Sequence, residues 1–320
     1  MAKEVKEFIR TCKTCQKYKS FNVTPAGEMH SFTPKMKPGL AYSVDIIGPL
    51  PRTKRGNVYI LVFVDICTKF LIAAPMRSAT GKKVANLLVE KVILEYGNPE
   101  LILCDNGVQF ISKEFKETCT QKFIKIHYTP FYFPQANVVE RYNKNLKVAL
   151  AMFAGGNHRL WDEHLPYIVF ALRTAVSEVT GFTPAYLTFG RELSNPFEIL
   201  RETEVEPMQE FDAGEYAEEL EGKLPIVYET ARKAIEKAKE QQARQYNLRR
   251  RNISYKVGDT VWRKNFPQSS KVDYIAAKLQ PKFIGPFTIA KVFSQTQYEL
   301  KSLTGKSAGR WHISHLKPVL

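Results

Sequence analysis

"YSVDIIGPLPRTKRGNVYILVFVDICTKFLIAAPM", Tyr42 to Met76, holds three short apolar or alternating runs separated by turn-formers. Runs of that length with period-two alternation read as strands. Gly56-Asn57 supplies a turn between the first two, so the stretch predicts a meander of three strands. "TGKKVANLLVEKVILEYG", Thr80 to Gly97, carries apolar residues at helical spacing and is closed by Gly97. "PELILCD", Pro99 to Asp105, is a buried strand that ends in an acid. "SKEFKETCTQK" is a helix capped by Ser112, and "IKIHYT" is a further strand. Past the turn-formers and aromatics that begin at Pro130, a helix runs from about Asn137 to Ala154. A second lies around "WDEHLPYIVFALRTAV". The order β-β-β-α-β-α-β-α-α gives an α/β fold: a five-stranded mixed sheet with flanking helices.

The chain has 320 residues, more than one ordinary core, so two or three domains are expected. Lys and Arg number 47 against 32 Asp and Glu, a net charge of +15. That excess calls for an acidic partner such as nucleic acid. No run of about 18 apolar residues marks a membrane span, and "MAKEVKEFIRTC" lacks the apolar core of a secretory signal. Five cysteines, an odd number, fit a reducing compartment better than a disulfide framework.

Charge divides the second half of the chain. Glu198 to Glu221 holds ten acids and one base, Arg201. Glu240 to Leu320 holds fifteen Lys and Arg against four acids. The expected organisation is a helical segment over 1–20 containing "CKTCQKYK", a linker over 21–39 and a central domain over 40–197. An acidic loop with a long helix, "VYETARKAIEKAKEQQARQYNLRR", follows over 198–250. Strands "YKVGDTVWRK", "GPFTIAKVF", "QYELKSLTG" and "GRWHISHLKP" make a small basic all-β domain over 251–320, expected as a barrel. Cys67, Cys104 and Cys119 lie on apolar elements and read as buried fillers. Trp161, Tyr167 and Phe170 at helical spacing read as core.

Three acids stand at places where chemistry is possible. Asp45 closes "YSVDI", Asp105 closes "LILCD" before Asn106-Gly107, and Glu140 sits on the first turn of a helix. Carboxylates brought to one sheet edge repel one another and need a compensating cation, for which magnesium, an oxygen-seeking ion, is suited. Each acid alone also has a plain reading, as a turn-former or a helix-dipole partner. Asp65 in "VFVDIC" competes with Asp45, and spacing does not separate the two.

The ordered set "YSVDIIGPLP", "LILCDNGVQF" and "FPQANVVERYNKNL" resembles the catalytic core of retroviral and gypsy-type retrotransposon integrases. The resemblance implies an RNase H-like fold and an Asp-Asp-Glu triad at Asp45, Asp105 and Glu140, binding two Mg2+ or Mn2+ ions. Asp65 then takes no ligand role. It further implies that Gln135 and Asn137 position the reactive DNA end. Asn143, Lys144 and Lys147 follow Glu140 by three, four and seven residues, so one helix face would meet DNA. The sequence departs from the family where Phe133 and Val138 replace its usual His and Gly. The 34 residues between Asp105 and Glu140 are one fewer than usual.

The flanks resemble the same family. Cys12 and Cys15 match the second half of a His-His-Cys-Cys zinc module. Its histidines would lie upstream of Met1, and His30 is not one of them. A truncated zinc module is therefore expected, with Zn2+ bound only if those histidines are supplied. "FIGPFTI" and "WHISHLKP" resemble the family's terminal module. With Arg249, Arg250, Arg251, Arg263 and Lys264 nearby, DNA backbone contact is expected. The implied function is DNA integration: 3′-end processing and strand transfer of element DNA into target DNA, by a homo-oligomer in the nucleus. A catalytically silent, co-opted DNA- or chromatin-binding protein, a ribonuclease of the same fold and a cut-and-paste transposase are the rival readings.

Overall fold

The computed structural model describes residues 2–18, 26–27, 37–129, 139–154, 157–194, 212–248, 250–251, 253–267, 269 and 276–319. The chain forms two compact units. One comprises residues 32–129 and 134–240. The other comprises residues 1–31, 130–133 and 241–320.

The first unit is built on the sheet that the opening stretch predicts. Strands β1 (Ala41–Ile47), β2 (Tyr59–Asp65) and β3 (Leu71–Met76) form an antiparallel meander. Strands β4 (Leu101–Cys104) and β5 (Lys125–Tyr128) add in parallel beyond β1, giving the order β3-β2-β1-β4-β5. Strand β2 is apolar almost throughout because both of its faces are covered. Leu61 and Phe63 point to one cluster, with Val84, Leu88, Val92, Phe115 and Cys119. Ile60, Val62 and Val64 point to the other, with Val139, Leu146, Trp161 and Leu165.

The helices follow their punctuation. Thr80 caps α3 (Gly81–Leu88) by accepting from Lys83 N. That helix passes through a π-helical turn, Val89–Ile93, into α4 (Leu94–Tyr96), and Gly97 ends it at φ 95°, a conformation that favours glycine. A short turn, α5 (Val108–Ile111), precedes α6 (Lys113–Gln121), which Ser112 caps through Phe115 N. Helices α7 (Val139–Ala154) and α8 (Trp161–Thr174) cover the second face, followed by the short α9 (Pro184–Phe189). Trp161 is core as expected, but Tyr167 is 72% exposed and Phe170 36%, on the outer side of α8.

The long helix α10 (Ala213–Asn247) starts well before the expected Val227 and carries Pro225 inside it. Glu215, in its first turn, complements the helix dipole and favours that early start.

The second unit is a five-stranded antiparallel sheet: β6 (Thr260–Lys264), β7 (Phe283–Ser294), β8 (Gln297–Ser302), β9 (Ser307–His312) and β10 (Leu316–Pro318). Its order is β10-β6-β7-β8-β9. The expected barrel is therefore corrected to an open sheet. β10 is three residues long and pairs with β6, and a 3-10 turn, Ile313–His315, separates it from β9. Among the described residues no ladder joins the two edges. Val261, Ile289, Tyr298, Leu300, Trp311 and Ile313 form the core.

The N-terminal helices α1 (Ala2–Thr11) and α2 (Lys13–Tyr18) belong to this same unit. Gln16 is 4% exposed. Its Oε1 accepts from Trp262 Nε1 at 2.6 Å, and its backbone carbonyl accepts from Lys317 Nζ at 2.8 Å. Within the stretch read as a linker, Ala26 is buried and bridges Arg251, so that part of the 21–39 segment is built into the unit.

His312 is buried, and its Nδ1 accepts from Ser314 N at 3.2 Å. Burial first, then the charges of His315 and Arg250, lower its pKa to about 3. The unfolded chain therefore binds the proton more tightly than the folded one. The stability this neutral histidine contributes is complete above pH ~6.5 and is lost as pH falls from there toward ~3. Melting the protein at pH 7.5 and pH 5 should show this unit weakened by about 2 kcal/mol at the lower pH. A His312→Asn variant should lose most of that difference, and an unchanged pH response in the variant would refute the assignment.

Candidate active site

The parallel pairing of β1 with β4 sets the site. Ala41 aligns with Leu101 and Ser43 with Leu103. Asp45 and Asp105 each lie two residues beyond the last aligned pair, at the carboxyl end of adjacent parallel strands. Ligand sites of open α/β sheets form at that edge. Helix α7 lies against β1 and β2 through Val139, Leu146 and Leu150, all buried. With Val139 fixed inward, the next residue on the helix, Glu140, turns outward and is exposed.

Asp45 feels the other two carboxylates. Burial, reinforced by the negative charges of Asp105 and Glu140, pushes the Asp45 carboxyl up to about 6. The Ile46 N–H, donating to Asp45 Oδ1 at 2.8 Å, and the charge of Lys147 oppose that rise. Asp105 is held by its own loop. Gly107 N donates to Asp105 Oδ1 at 2.8 Å. A Cβ at Gly107 would stand 2.9 Å from that oxygen, so a larger residue there would push the carboxylate aside. Asn106 Nδ2 ties the same loop to Thr129 O at 2.6 Å.

Asp65 is elsewhere. Antiparallel pairing sets it opposite Tyr42, at the other end of β1. It is 1% exposed and accepts from Gly39 N, Cys67 N and Thr68 Oγ1 at 2.8–2.9 Å. Its carboxylate organises the β2–β3 turn.

The residues expected to face DNA divide. Lys144 and Lys147 are exposed on α7. Asn143 is not on that exposed face: it is 6% exposed, and its Nδ2 donates to Asp45 Oδ2 at 2.6 Å. Its Oδ1 is buried with no partner among the described residues. The i+3 step from Glu140 was visible in the sequence. What was not visible is that this step turns back toward β1 rather than out to solvent. Gln135, Asn137 and Arg249, with Phe133 and Val138, lie outside the described residues. Arg250 stacks its guanidinium 4.0 Å from the Tyr246 ring centroid, and Arg251 pairs with Ala26.

Cys12 and Cys15 are free thiols, both part-exposed. The Cys15 N–H chiefly holds the Cys12 thiol below its usual range. Cys104 and Cys119 are fully buried, and Cys67 is half-buried. Among the described residues, no three His, Cys, Asp or Glu side chains already stand together as a metal cage. What Asp45, Asp105 and Glu140 offer a cation is hard oxygen donors of one charge sign, with the most buried of them raised in pKa chiefly by burial and further by the other two.

The chain resembles known proteins along nearly its whole length. Residues 35–134 match the family model "Integrase core domain", and residues 255–318 match a domain of unknown function, DUF8803. The Retrovirus-related Pol polyprotein from transposon 412 of Drosophila melanogaster is 30% identical over 308 residues, 96% of this chain and 24% of that polyprotein. The Transposon Tf2-3 polyprotein of Schizosaccharomyces pombe is 25% identical over 325 residues, 98% of this chain and 23% of that polyprotein. The chain thus spans about a quarter of the length of these relatives. A chain in the simian T-cell lymphotropic virus intasome, solved in complex with PP2A regulatory subunit B56 gamma, shares the fold. Its TM-score is 0.59 at 16% identity, covering 100% of this chain and 91% of that one.

Proposed function

We propose that this chain, which belongs to the integrases of gypsy-type LTR retrotransposons, joins element DNA to target DNA as a polynucleotidyl transferase. What supports the reading is the placement of Asp45 and Asp105 at the carboxyl ends of adjacent parallel strands, with Glu140 on the first turn of the helix that packs against β1. After burial, the charges of Asp105 and Glu140 add to the rise of the Asp45 pKa. In this reading water attacks a phosphodiester near the element's 3′ end, and the freed 3′-hydroxyl then attacks a phosphodiester of the target.

Asp45, Asp105 and Glu140 would hold two Mg2+ or Mn2+ ions, which supply activation of the attacking oxygen and charge stabilisation at the leaving oxygen. The chain's own groups do the rest. Gly107 N and Asn106 fix the Asp105 loop. Asn143 fixes Asp45 by donating to Oδ2, which leaves the carboxylate no rotational choice. Lys144 and Lys147 stand one turn and two turns past Glu140 and serve the DNA phosphates. The protein would act on element-end and target DNA as a homo-oligomer in the nucleus. The C-terminal unit, with Arg250, Arg251 and neighbouring lysines, contributes further backbone contacts.

The test is direct. The purified chain, a labelled duplex carrying element-end sequence and a supercoiled plasmid are combined with Mg2+ or Mn2+. Labelled plasmid products support the reading. DNA binding without products, under both ions, would favour the silent DNA-binding alternative.

Asn143 gives a separate prediction. Removing a group that orients a metal ligand costs about 10–100-fold in metal affinity. Asn143→Ala should therefore weaken Mn2+ binding, measured by titration calorimetry, by about that factor. Unchanged Mn2+ affinity would rule out the orienting role.

A further inference from the structure

The second unit contains a cavity of about 510 Å³ whose concave apolar walls have no part in the function above. Arg251, Lys264, Lys278 and Lys282 line it, together with Gln280 and Phe283, and among the described residues none that line it is acidic. Lys264, Lys278 and Lys282 are exposed. The walls are fixed by backbone bonds. Gly27 N donates to Arg251 O at 3.1 Å on one side. On the other, Asn265 N donates to Lys282 O at 2.8 Å, and Asn265 Nδ2 donates to Pro281 O at 2.9 Å. Lys317, outside the lining, sits 4.9 Å from the Phe283 ring centroid and holds that ring in place.

A double helix presents its phosphates on a convex surface and its bases inside. It can use the lysines of such a groove but not the concave apolar walls between them. An unpaired nucleotide uses both. Its base lies against an aromatic and apolar wall, its edge reaches an amide such as Gln280, and its flanking phosphates meet the cations. We infer that this groove binds a single-stranded DNA segment, such as the unpaired overhang left beside a trimmed duplex end. The inference rests on the DNA-processing function proposed above.

The test measures binding alone, without divalent ions, so a failure of catalysis leaves it intact. Fluorescence anisotropy compares a blunt duplex, the same duplex with a 5′ overhang, and oligo-dT, using the full chain. The wild type should prefer the overhang duplex to the blunt one by about tenfold, the scale of one stacked base. Phe283→Ala, which removes the aromatic wall and leaves every lysine in place, should abolish that preference while changing blunt-duplex binding less than about threefold. Lys278→Glu with Lys282→Glu, both at exposed positions, should weaken oligo-dT binding more than blunt-duplex binding. Oligo-dT binding should also lose roughly 1.4 from the slope of log affinity against log salt, the share of two phosphate contacts on a single strand. Equal losses on blunt and overhang DNA, or no preference in the wild type, would overturn the inference. So would displacement of oligo-dT by a polyglutamate peptide at lower concentration than by unlabelled oligo-dT, which would mark the groove as a site for acidic protein.

Discussion

Glu140→Gln is expected to lower metal-dependent strand transfer on the order of a thousandfold, the loss of several kcal/mol of transition-state stabilisation. The substitution preserves size and hydrogen-bonding reach and removes only the charge. Glu140 is exposed on the first turn of α7, so the fold should change by less than about 0.5 kcal/mol. Buried Val139, beside it, continues to anchor the helix. DNA binding should persist and even tighten slightly, because one negative charge leaves a surface that faces phosphates. The measurement is a strand-transfer assay beside an anisotropy titration on the same preparation. Transfer at the wild-type rate with unchanged binding would remove Glu140 from the triad. A parallel loss of binding and transfer would assign it to DNA contact.

Trp262→Ala has the second large effect, on stability. Trp262 is 1% exposed, and its indole N–H is bonded to Gln16 Oε1. Deleting a buried tryptophan typically costs about 3–5 kcal/mol, and here it also strands a buried amide oxygen. Trp262→Phe keeps most of the volume and loses the bond. The expected order of stability is wild type, then Phe lower by about 1–2 kcal/mol, then Ala far below. Melting should report it in the C-terminal unit, with the transition of the catalytic unit in place. A Phe variant as stable as the wild type would show that the N-terminal helices do not depend on this contact.

The sheet could be read from the sequence because its strands are short, apolar and bounded by turn-formers. β1, β2 and β3 fall where Tyr42 to Met76 predicts them. The caps Thr80, Ser112 and Gly97 also act where local chemistry places them, since each bonds within its own turn. What was hidden depends on long-range partners. Nothing local to Asn143 distinguishes a helix residue facing DNA from one bonded to Asp45, 98 positions earlier. Asp45 and Asp65 look alike in sequence, and only register separates them, one opposite Val62 and the other opposite Tyr42. The closed barrel was expected from strand count. Closure depends instead on whether β9 meets β10, a contact that no single strand encodes. Tyr167 and Phe170 fit helical spacing, but spacing defines a face without saying that anything covers it.

The bond from Lys317 to Gln16 spans 301 positions of the chain, and this has a temporal meaning. A ribosome adding roughly 5–20 residues per second needs roughly 15–60 s to pass from Gln16 to Lys317. Throughout that interval α1 and α2 exist without the sheet that holds them. All strands of the catalytic sheet, ending at Tyr128, are made early in the same interval. Helices α1 and α2, made before every strand of both sheets, are thus among the last of these elements to find their place. A nascent chain arrested before β10 would display them unprotected, open to proteases or to capture by a finished neighbour's sheet.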